Sequence, residues 1–309
     1  MTPRERWRVL FAGREPDRVP CDYWGTAELT SRICRDLACA SEAELWKRLG
    51  IDKCIHLAPR HPRASEDTWH MQSLFSIWRI GTANISYSDG LGVYEEAVVH
   101  PLGRASSVAD IERFPWPDAE DWDYSGLRAQ CDEWADYPIL AGSSEPFYLY
   151  SRLRGMEQAL TDLVEAPAIS EAILDHIFQL DQNVFRRILD QVAGRIDLVY
   201  VAEDLGTQES LLISPKLFRQ FLKPRMRRLV DLAHGYGVKV MHHDDGAIRP
   251  LIPDLIETGI DILNPVQWRS RGMDRQSLVR DFGRDPIFPR GVDNRQTLPF
   301  GTTDDVRAR

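Results

Sequence analysis

The sequence predicts an α/β fold built on a parallel sheet, and two observations lead to that prediction. From residue 125 onward, short apolar runs alternate with long helical patterns, the order that forms right-handed βαβ units. Polar and ionisable residues follow the C-terminal end of each run, as they do where parallel strands open onto one site. A TIM-like barrel and a doubly wound open sheet both have this arrangement.

The first part of the chain is predicted to hold three helices and two strands. Thr2-Pro3-Arg4-Glu5 begins the first helix, because it supplies a threonine N-cap, a proline at the first helical position and a glutamate at N3. Helices are also expected over Ala27–Asp36 and from a Ser41-x-x-Glu44 capping box to Leu49-Gly50. Strands are predicted over Val19–Trp24 and over the alternating run Ile51–Leu57.

Residues 60–125 are rich in aromatic and turn-forming residues and are harder to interpret. Ile77–Tyr87 and Val93–Val99 are typical of strands, and Phe114–Asp118 is a turn-rich stretch. We interpret this part as a hairpin region inserted into a single domain that spans residues 1–309.

The second part has a regular pattern in which strands alternate with helical stretches. The predicted strands are Pro138–Ala141, Asp197–Val201, Val238–Met241, Asp261–Leu263 and Pro286–Phe288. The predicted helices are Gly155–Glu165, Ala168–Val192, Pro215–Gly235, Ile248–Thr258 and Arg275–Phe282. Gly237, Gly259 and Gly283 each follow a helix, where a left-handed residue is expected to end it.

Composition excludes several classes of protein. With 38 basic and 47 acidic residues the formal charge is −9, which argues against a nucleic-acid-binding protein. No apolar run reaches the roughly 18 residues that a membrane-spanning helix needs. The five cysteines form no C-x-x-C pair, which favours reduced thiols and a cytoplasmic location.

The strand ends provide the candidate site. His243 and Asp245 alternate along an extended strand end, so both side chains point the same way and form half of a divalent-metal site. Glu203, after the neighbouring strand, is a third candidate ligand. The competing interpretation is that the histidine is only hydrogen-bonded to nearby acids. Glu203 and Asp204 also fit an acid/base pair, or a cap on the loop that follows them.

Four further residues are candidates for substrate binding. Arg290 offers a cation for an anionic group, and Tyr148 could line an apolar pocket; a salt bridge and core packing are the alternatives. Asn264 and Asp293 follow the last two predicted strands and face the same cavity in this interpretation.

The ordered motifs resemble the uroporphyrinogen decarboxylase superfamily, which also contains the corrinoid-dependent methyltransferases. The motifs are Gly13-Arg14-Glu15-Pro16-Asp17-Arg18-Val19-Pro20, Glu203-Asp204-Leu205-Gly206-Thr207-Gln208, Phe221-Leu222-Lys223-Pro224, Asp261–Gln267 and Gly291-Val292-Asp293. They cover nearly the whole chain. The resemblance implies a TIM-like (β/α)8 barrel with the hairpin region near 60–125 as an insertion.

Two departures separate the branches of that superfamily. Porphyrinogen decarboxylases carry an arginine-rich R-Q-A-G-R loop after the first strand, whereas this chain has Asp22–Glu28, with two acids and no arginine. Their F-S-D aspartate is matched only by Phe75-Ser76-Ile77. A pocket for a polycarboxylate needs cations, so porphyrinogen decarboxylation is disfavoured.

The methyltransferase branch has a metal motif, H-x-C-G, at the end of the fifth strand. Here His243-Asp244-Asp245-Gly246 matches it, with Asp245 in place of the thiolate, and a carboxylate makes the site harder. The family's last strand and helix should follow Thr303–Arg307, and the sequence ends at Arg309. We therefore expect a barrel that lacks its eighth strand–helix unit.

The resemblance implies metal-assisted methyl transfer with a small methylated substrate. Zinc or another divalent metal is the expected cofactor, and a corrinoid carried by a partner protein is the expected methyl carrier. The alternatives are decarboxylation of a smaller carboxylated substrate, with Asp204 handling the proton and no metal, and a non-catalytic binding barrel. Nucleic acid and membrane are not expected partners, and a homodimer is left open.

Overall fold

A parallel sheet forms the centre of the protein in the computed structural model, which describes residues 1–63, 75–87, 92–142, 144–283 and 296–307. The strands are β1 (Ile55–Leu57), β2 (Gly81–Tyr87), β3 (Gly92–Val99), β4 (Ile139–Ala141), β5 (Leu198–Ala202), β6 (Lys239–His243) and β7 (Ile262–Asn264). Five of them pair in parallel in the order β1-β4-β5-β6-β7, which follows the chain as in a TIM-type barrel. The α/β prediction is confirmed.

Helices connect these strands. They are α1 (Pro3–Phe11), α2 (Ala27–Asp36), α3 (Glu42–Leu49), α4 (Val108–Glu112), α5 (Leu127–Glu133), α6 (Pro146–Arg154), α7 (Met156–Glu165), α8 (Pro167–Val192), α9 (Pro215–Leu217), α10 (Lys223–Gly235), α11 (Ile252–Thr258), α12 (Arg275–Phe282), α13 (Thr297–Phe300) and α14 (Thr303–Arg307). A π-helical turn, Phe218–Leu222, joins α9 to α10. In the described ranges, no helix is both long enough and apolar enough to cross a bilayer.

The two faces of the sheet contact different parts of the core. Val199 and Val201 of β5 belong to the main hydrophobic cluster, which contains the helices. Leu198, Tyr200 and Ala202 alternate with them and belong to a smaller cluster on the other face. Both faces are therefore buried, which explains why β5 is apolar throughout instead of alternating with polar residues.

Helix α1 covers the end of the sheet at which the strands begin. Trp7 is buried in the smaller cluster, and its Nε1 donates to the Asp52 carbonyl oxygen over 2.8 Å. The Nε atoms of Arg4 and Arg8 lie 2.9 and 2.7 Å from the carboxylate of Asp197, which precedes β5. Because this end is covered, the polar residues that follow the strands mark the end at which a site can open.

The inserted region contains the predicted hairpin. Strands β2 and β3 pair antiparallel, from Gly81 with Val99 to Tyr87 with Gly92.

Helix α6, which follows β4, was missing from the predicted elements.

Two local predictions that differ from the structure concern Val19–Trp24 and Gly283, and a third lies where the structure cannot test it. Val19–Trp24 is not a strand: among the described residues, its backbone–backbone pairing is limited to the Asp52 N–H, which donates to the Cys21 carbonyl oxygen. The carboxylates of Asp52 and Asp22 accept the N–H groups of Cys21 and Cys54 instead. Gly283 does not end α12 in the left-handed region, since its φ is −69°. The predicted strand Pro286–Phe288 lies outside the described residues.

Candidate functional site

Strands β5, β6 and β7 end side by side at the candidate site. Ala202 pairs with His243, and His243 pairs with Asn264. One ligand atom from each of Asp204, His243 and Asp245 lies within 4.8 Å of the other two. Nε2 of His243 is 3.7 Å from Oδ1 of Asp204 and 4.0 Å from Oδ1 of Asp245. We call these three residues the His–Asp cluster.

The imidazole of His243 is oriented by its neighbours. Its Nδ1 lies 3.3 Å from Oδ1 of Asn264, an atom that can only accept a hydrogen bond. Its ring stacks on Trp24, with centroids 5.9 Å apart and planes 3° from parallel. When Nδ1 donates its proton to Asn264, the lone pair of Nε2 faces the two carboxylates. Metal-binding histidines usually have such an acceptor on the second ring nitrogen.

The donor set fits a divalent cation. One imidazole nitrogen and two carboxylate oxygens converge, and each can serve as a ligand of a divalent cation. Tetrahedral ligands about 2.1 Å from a metal are roughly 3.4 Å apart, close to the 3.7 and 4.0 Å separations found here. One imidazole and two carboxylates form a harder ligand set than a thiolate site. The side chain of Asp204 is 56% exposed, so the cluster is open to small molecules.

Glu203 is not a member of this cluster. It is 1% exposed, and both its carboxylate oxygens accept from the backbone N–H of Phe147, at 3.2 and 2.9 Å. Burial raises the pKa of Glu203 well above its ordinary value, and the Phe147 hydrogen bond opposes that shift. Phe147 lies in the first turn of α6, which has no side-chain cap of its own, so Glu203 anchors that helix end.

Glu145 is a site residue that the sequence interpretation did not select. Burial and the negative charge of Asp204 raise the pKa of Glu145 to about 7, and His243 opposes the shift. It follows β4 and immediately precedes α6. The available signal was the polar run after that strand, Ser143-Ser144-Glu145.

An aromatic group borders the His–Asp cluster. Ring centroids of Trp24 and Tyr200 are 6.0 Å apart, and those of His56 and Tyr200 are 6.1 Å apart. The ring centroids of Tyr200 and His243 are 6.2 Å apart. His56 and Tyr200 lie on strands that were predicted, but the sequence analysis selected neither of them.

The remaining predicted substrate-binding residues are placed as follows. Asn264 contacts His243 in the site. Tyr148 stacks on Phe75, and the Arg152 guanidinium lies over its ring at 4.6 Å. Arg290 and Asp293 lie outside the described residues.

Comparison with known proteins provides two matches. A family model described as Uroporphyrinogen decarboxylase (URO-D) matches residues 98–285. Among solved structures, the chain is similar to a methyltransferase from Methanosarcina mazei, with a TM-score of 0.58 and 15% sequence identity over 86% of this chain and 76% of that one. At that identity the likeness concerns the fold, and it agrees with the TIM-type strand order. No curated protein matches the chain.

Proposed function

Because this chain belongs to the uroporphyrinogen decarboxylase family, we propose that it is a metal-dependent enzyme that transfers a methyl group from or to a small substrate. The observation that carries the proposal is the convergence of Asp204, His243 and Asp245 at the ends of β5 and β6. The fold that the chain shares with a methyltransferase supports the choice of reaction.

Each residue of the site would have a different role in the reaction. The His–Asp cluster would hold zinc or another divalent ion, which supplies Lewis-acid activation of the methylated substrate or of its acceptor. Asn264 fixes the orientation of His243. Trp24 and Tyr200 give the site an apolar wall, against which a methyl group can rest without losing hydrogen bonds. A corrinoid on a partner protein is the proposed methyl carrier.

The charge of the site supports a substrate without several carboxylates. Asp204, Asp245 and Glu145 are acidic, and Asp22 occupies the segment where porphyrinogen decarboxylases carry arginines. Like charges placed together cost several kcal/mol at a recognition surface, roughly enough to reject a polyanion. Arg290 and Asp293 remain predicted substrate contacts.

Decarboxylation of a small carboxylated substrate is a second candidate, and Glu145 favours it. A carboxyl group with a pKa of about 7 exchanges protons readily at neutral pH, and it lies in the field of Asp204, the predicted proton-handling group. In this alternative the His–Asp cluster needs no metal.

Metal titration tests the proposal. Chelator-treated protein is titrated with Zn²⁺, Co²⁺ and Mn²⁺ by calorimetry, and we expect one site per chain. His243→Ala should weaken binding at least about 100-fold, since it removes a direct ligand. His234→Ala is the matched control, because that histidine pairs with Asp261 away from the cluster.

Two outcomes would contradict the proposal. Wild-type protein that binds no divalent ion would favour the decarboxylase or a non-catalytic barrel. Metal-loaded protein that transfers no methyl group to a reduced corrinoid from any of a set of small methylated donors, followed by visible absorbance, would exclude a corrinoid as the methyl carrier.

A further inference from the structure

We infer that Asp244 is a positioning residue that ties the loop after β5 to the loop after β6 and thereby sets the spacing of the His–Asp cluster. Its effect on metal binding rests on the proposed function, whereas the tie itself does not. Asp244 lies between His243 and Asp245 in the chain, and the residue is 1% exposed.

The contacts of Asp244 join three strand ends. Its Oδ1 accepts from the backbone N–H of Leu205 over 2.8 Å, and Leu205 directly follows Asp204. Its own N–H donates to the carbonyl oxygen of Asn264 over 3.1 Å. A shift of this one residue therefore moves two cluster members, Asp204 and His243, and the amide that orients the imidazole.

The backbones of the two loops are in direct contact next to this tie. The N–H of Ala247 donates to the carbonyl oxygen of Thr207 over 2.7 Å. A Cβ atom on Gly206 would lie 2.2 Å from the Asp245 carbonyl oxygen, and one on Gly246 would lie 2.4 Å from the Thr207 carbonyl oxygen. The two glycines therefore permit the close approach of the loops after β5 and β6. The hydrogen bond from Leu205 to Asp244 then maintains that approach.

His242 closes the pocket around the Asp244 carboxylate. Its Nδ1 lies 2.8 Å from the Val201 carbonyl oxygen, and its Nε2 lies 3.6 Å from Oδ2 of Asp244. Both residues are buried, and neither Nε2 nor Oδ2 has a hydrogen-bond partner within the described part of the chain. A buried carboxylate with so few hydrogen bonds adds little to stability, so its contribution is the position it imposes.

Two substitutions separate position from stability. Asp244→Ala removes the acceptor, and we expect metal affinity to fall by about 10- to 100-fold, the usual effect of losing a residue that orients a ligand. Asp244→Asn keeps an oxygen for Leu205 and offers an amide donor to His242, so affinity should stay within about 3-fold of wild type. Calorimetric titration with Zn²⁺ measures both variants.

Hydrogen exchange of the metal-free protein measures the tie independently. The Leu205 amide should exchange faster in Asp244→Ala than in wild type, because it loses its acceptor, and should stay protected in Asp244→Asn. Unchanged exchange in Asp244→Ala would overturn the inference even if no metal binds. Equal losses of affinity in both variants would also overturn it, because charge and not position would then be responsible.

Asp254→Asn is the control for a buried aspartate outside the site. Asp254 is 3% exposed and pairs with Arg219 and Lys223. We expect this variant to lose stability and to keep its metal affinity. If Asp244→Ala does not fold, Asp244→Glu keeps the charge and moves the acceptor by one methylene group; wild-type affinity in that variant would contradict the inference.

Discussion

At the scale of single residues, exposure sorts the acidic side chains of the site into two groups. Asp204 and Asp245 have side chains that are 56% and 41% exposed and lie around His243. Glu203 and Asp244, one position earlier in each loop, are both 1% exposed and accept backbone N–H groups. Adjacent carboxylates therefore have different tasks, because successive side chains along an extended segment point to opposite sides.

The raised pKa of Glu145 predicts a dependence of stability on pH. The folded protein keeps a proton that the unfolded chain releases between pH 4.5 and about 7, so wild type loses stability as pH rises through that window. Glu145→Gln has no carboxyl group at this position, so its side chain does not ionise in this window. Its free energy of unfolding relative to wild type should rise by at most about 3 kcal/mol across the window and stay level above it.

Urea denaturation at several pH values between 4.5 and 8 measures this difference. A difference that does not change with pH would show that Glu145 ionises at its ordinary pKa.

At the scale of elements, the loops after β5, β6 and β7 form one connected unit. Gln267 Oε1 accepts from both Gln208 Nε2 and the Gly246 N–H, each over 3.1 Å. Ser270 Oγ donates to Gln208 Oε1 over 3.0 Å. The unit holds the His–Asp cluster on loops that are anchored to one another, which limits how far its members can separate.

Gly246→Ala tests how tightly these loops pack. Gly246 has a φ of +86° and meets backbone oxygen, whereas Gly237 has a φ of +73° and nothing within 4 Å of an added Cβ. Gly237→Ala should lower the free energy of unfolding by about 1–2 kcal/mol, because alanine is disfavoured in the left-handed conformation by about that amount. Gly246→Ala should cost at least about 2 kcal/mol more, since backbone must also move. Denaturant unfolding measures both, and equal costs would mean that the loops can separate freely.

At the scale of the whole molecule, the site lies at one end of the sheet. The N-terminal cover, which we define as α1 and the segment that follows it to Arg18, lies at the other end. Arg6 pairs with both Asp17 and Asp52, and Arg18 also pairs with Asp52, so the N-terminal segment is bound to the residues that precede β1. Trp7, which belongs to α1, packs against the strands in the smaller hydrophobic cluster. The cover contributes to stability without contributing side chains to the His–Asp cluster.

Trp7→Ala is therefore expected to lower the free energy of unfolding by about 3–5 kcal/mol while leaving metal affinity unchanged. Leu49→Ala, at a position that is 50% exposed, is the control and should change stability by less than about 0.5 kcal/mol. Calorimetric unfolding and metal titration of both variants provide the comparison. A loss of metal affinity in Trp7→Ala would mean that the two ends of the sheet are coupled.

The sequence by itself determined the α/β order, and it predicted the strand ends at which the candidate site lies. Helix α2 spans the predicted Ala27–Asp36 and α12 the predicted Arg275–Phe282, because caps and periodicity are local signals. The polar residues after β5 and β6 also marked the site, since they directly follow apolar runs in the chain. The pairing of His243 with Asp245 needed only the alternation of an extended strand.

Only the tertiary structure decided which other carboxylate joins that pair. The predicted strand ended at Met241, whereas β6 continues to His243, and β5 ends at Ala202 instead of Val201. Tyr200 and Ala202 lie on the face of the smaller cluster and Val199 and Val201 on the face of the main cluster, so the alternation places Asp204 with the first pair and Glu203 with the second. Strand ends depend on partners far away in sequence. The same dependence explains Val19–Trp24, where the carboxylates of Asp22 and Asp52 replace strand pairing.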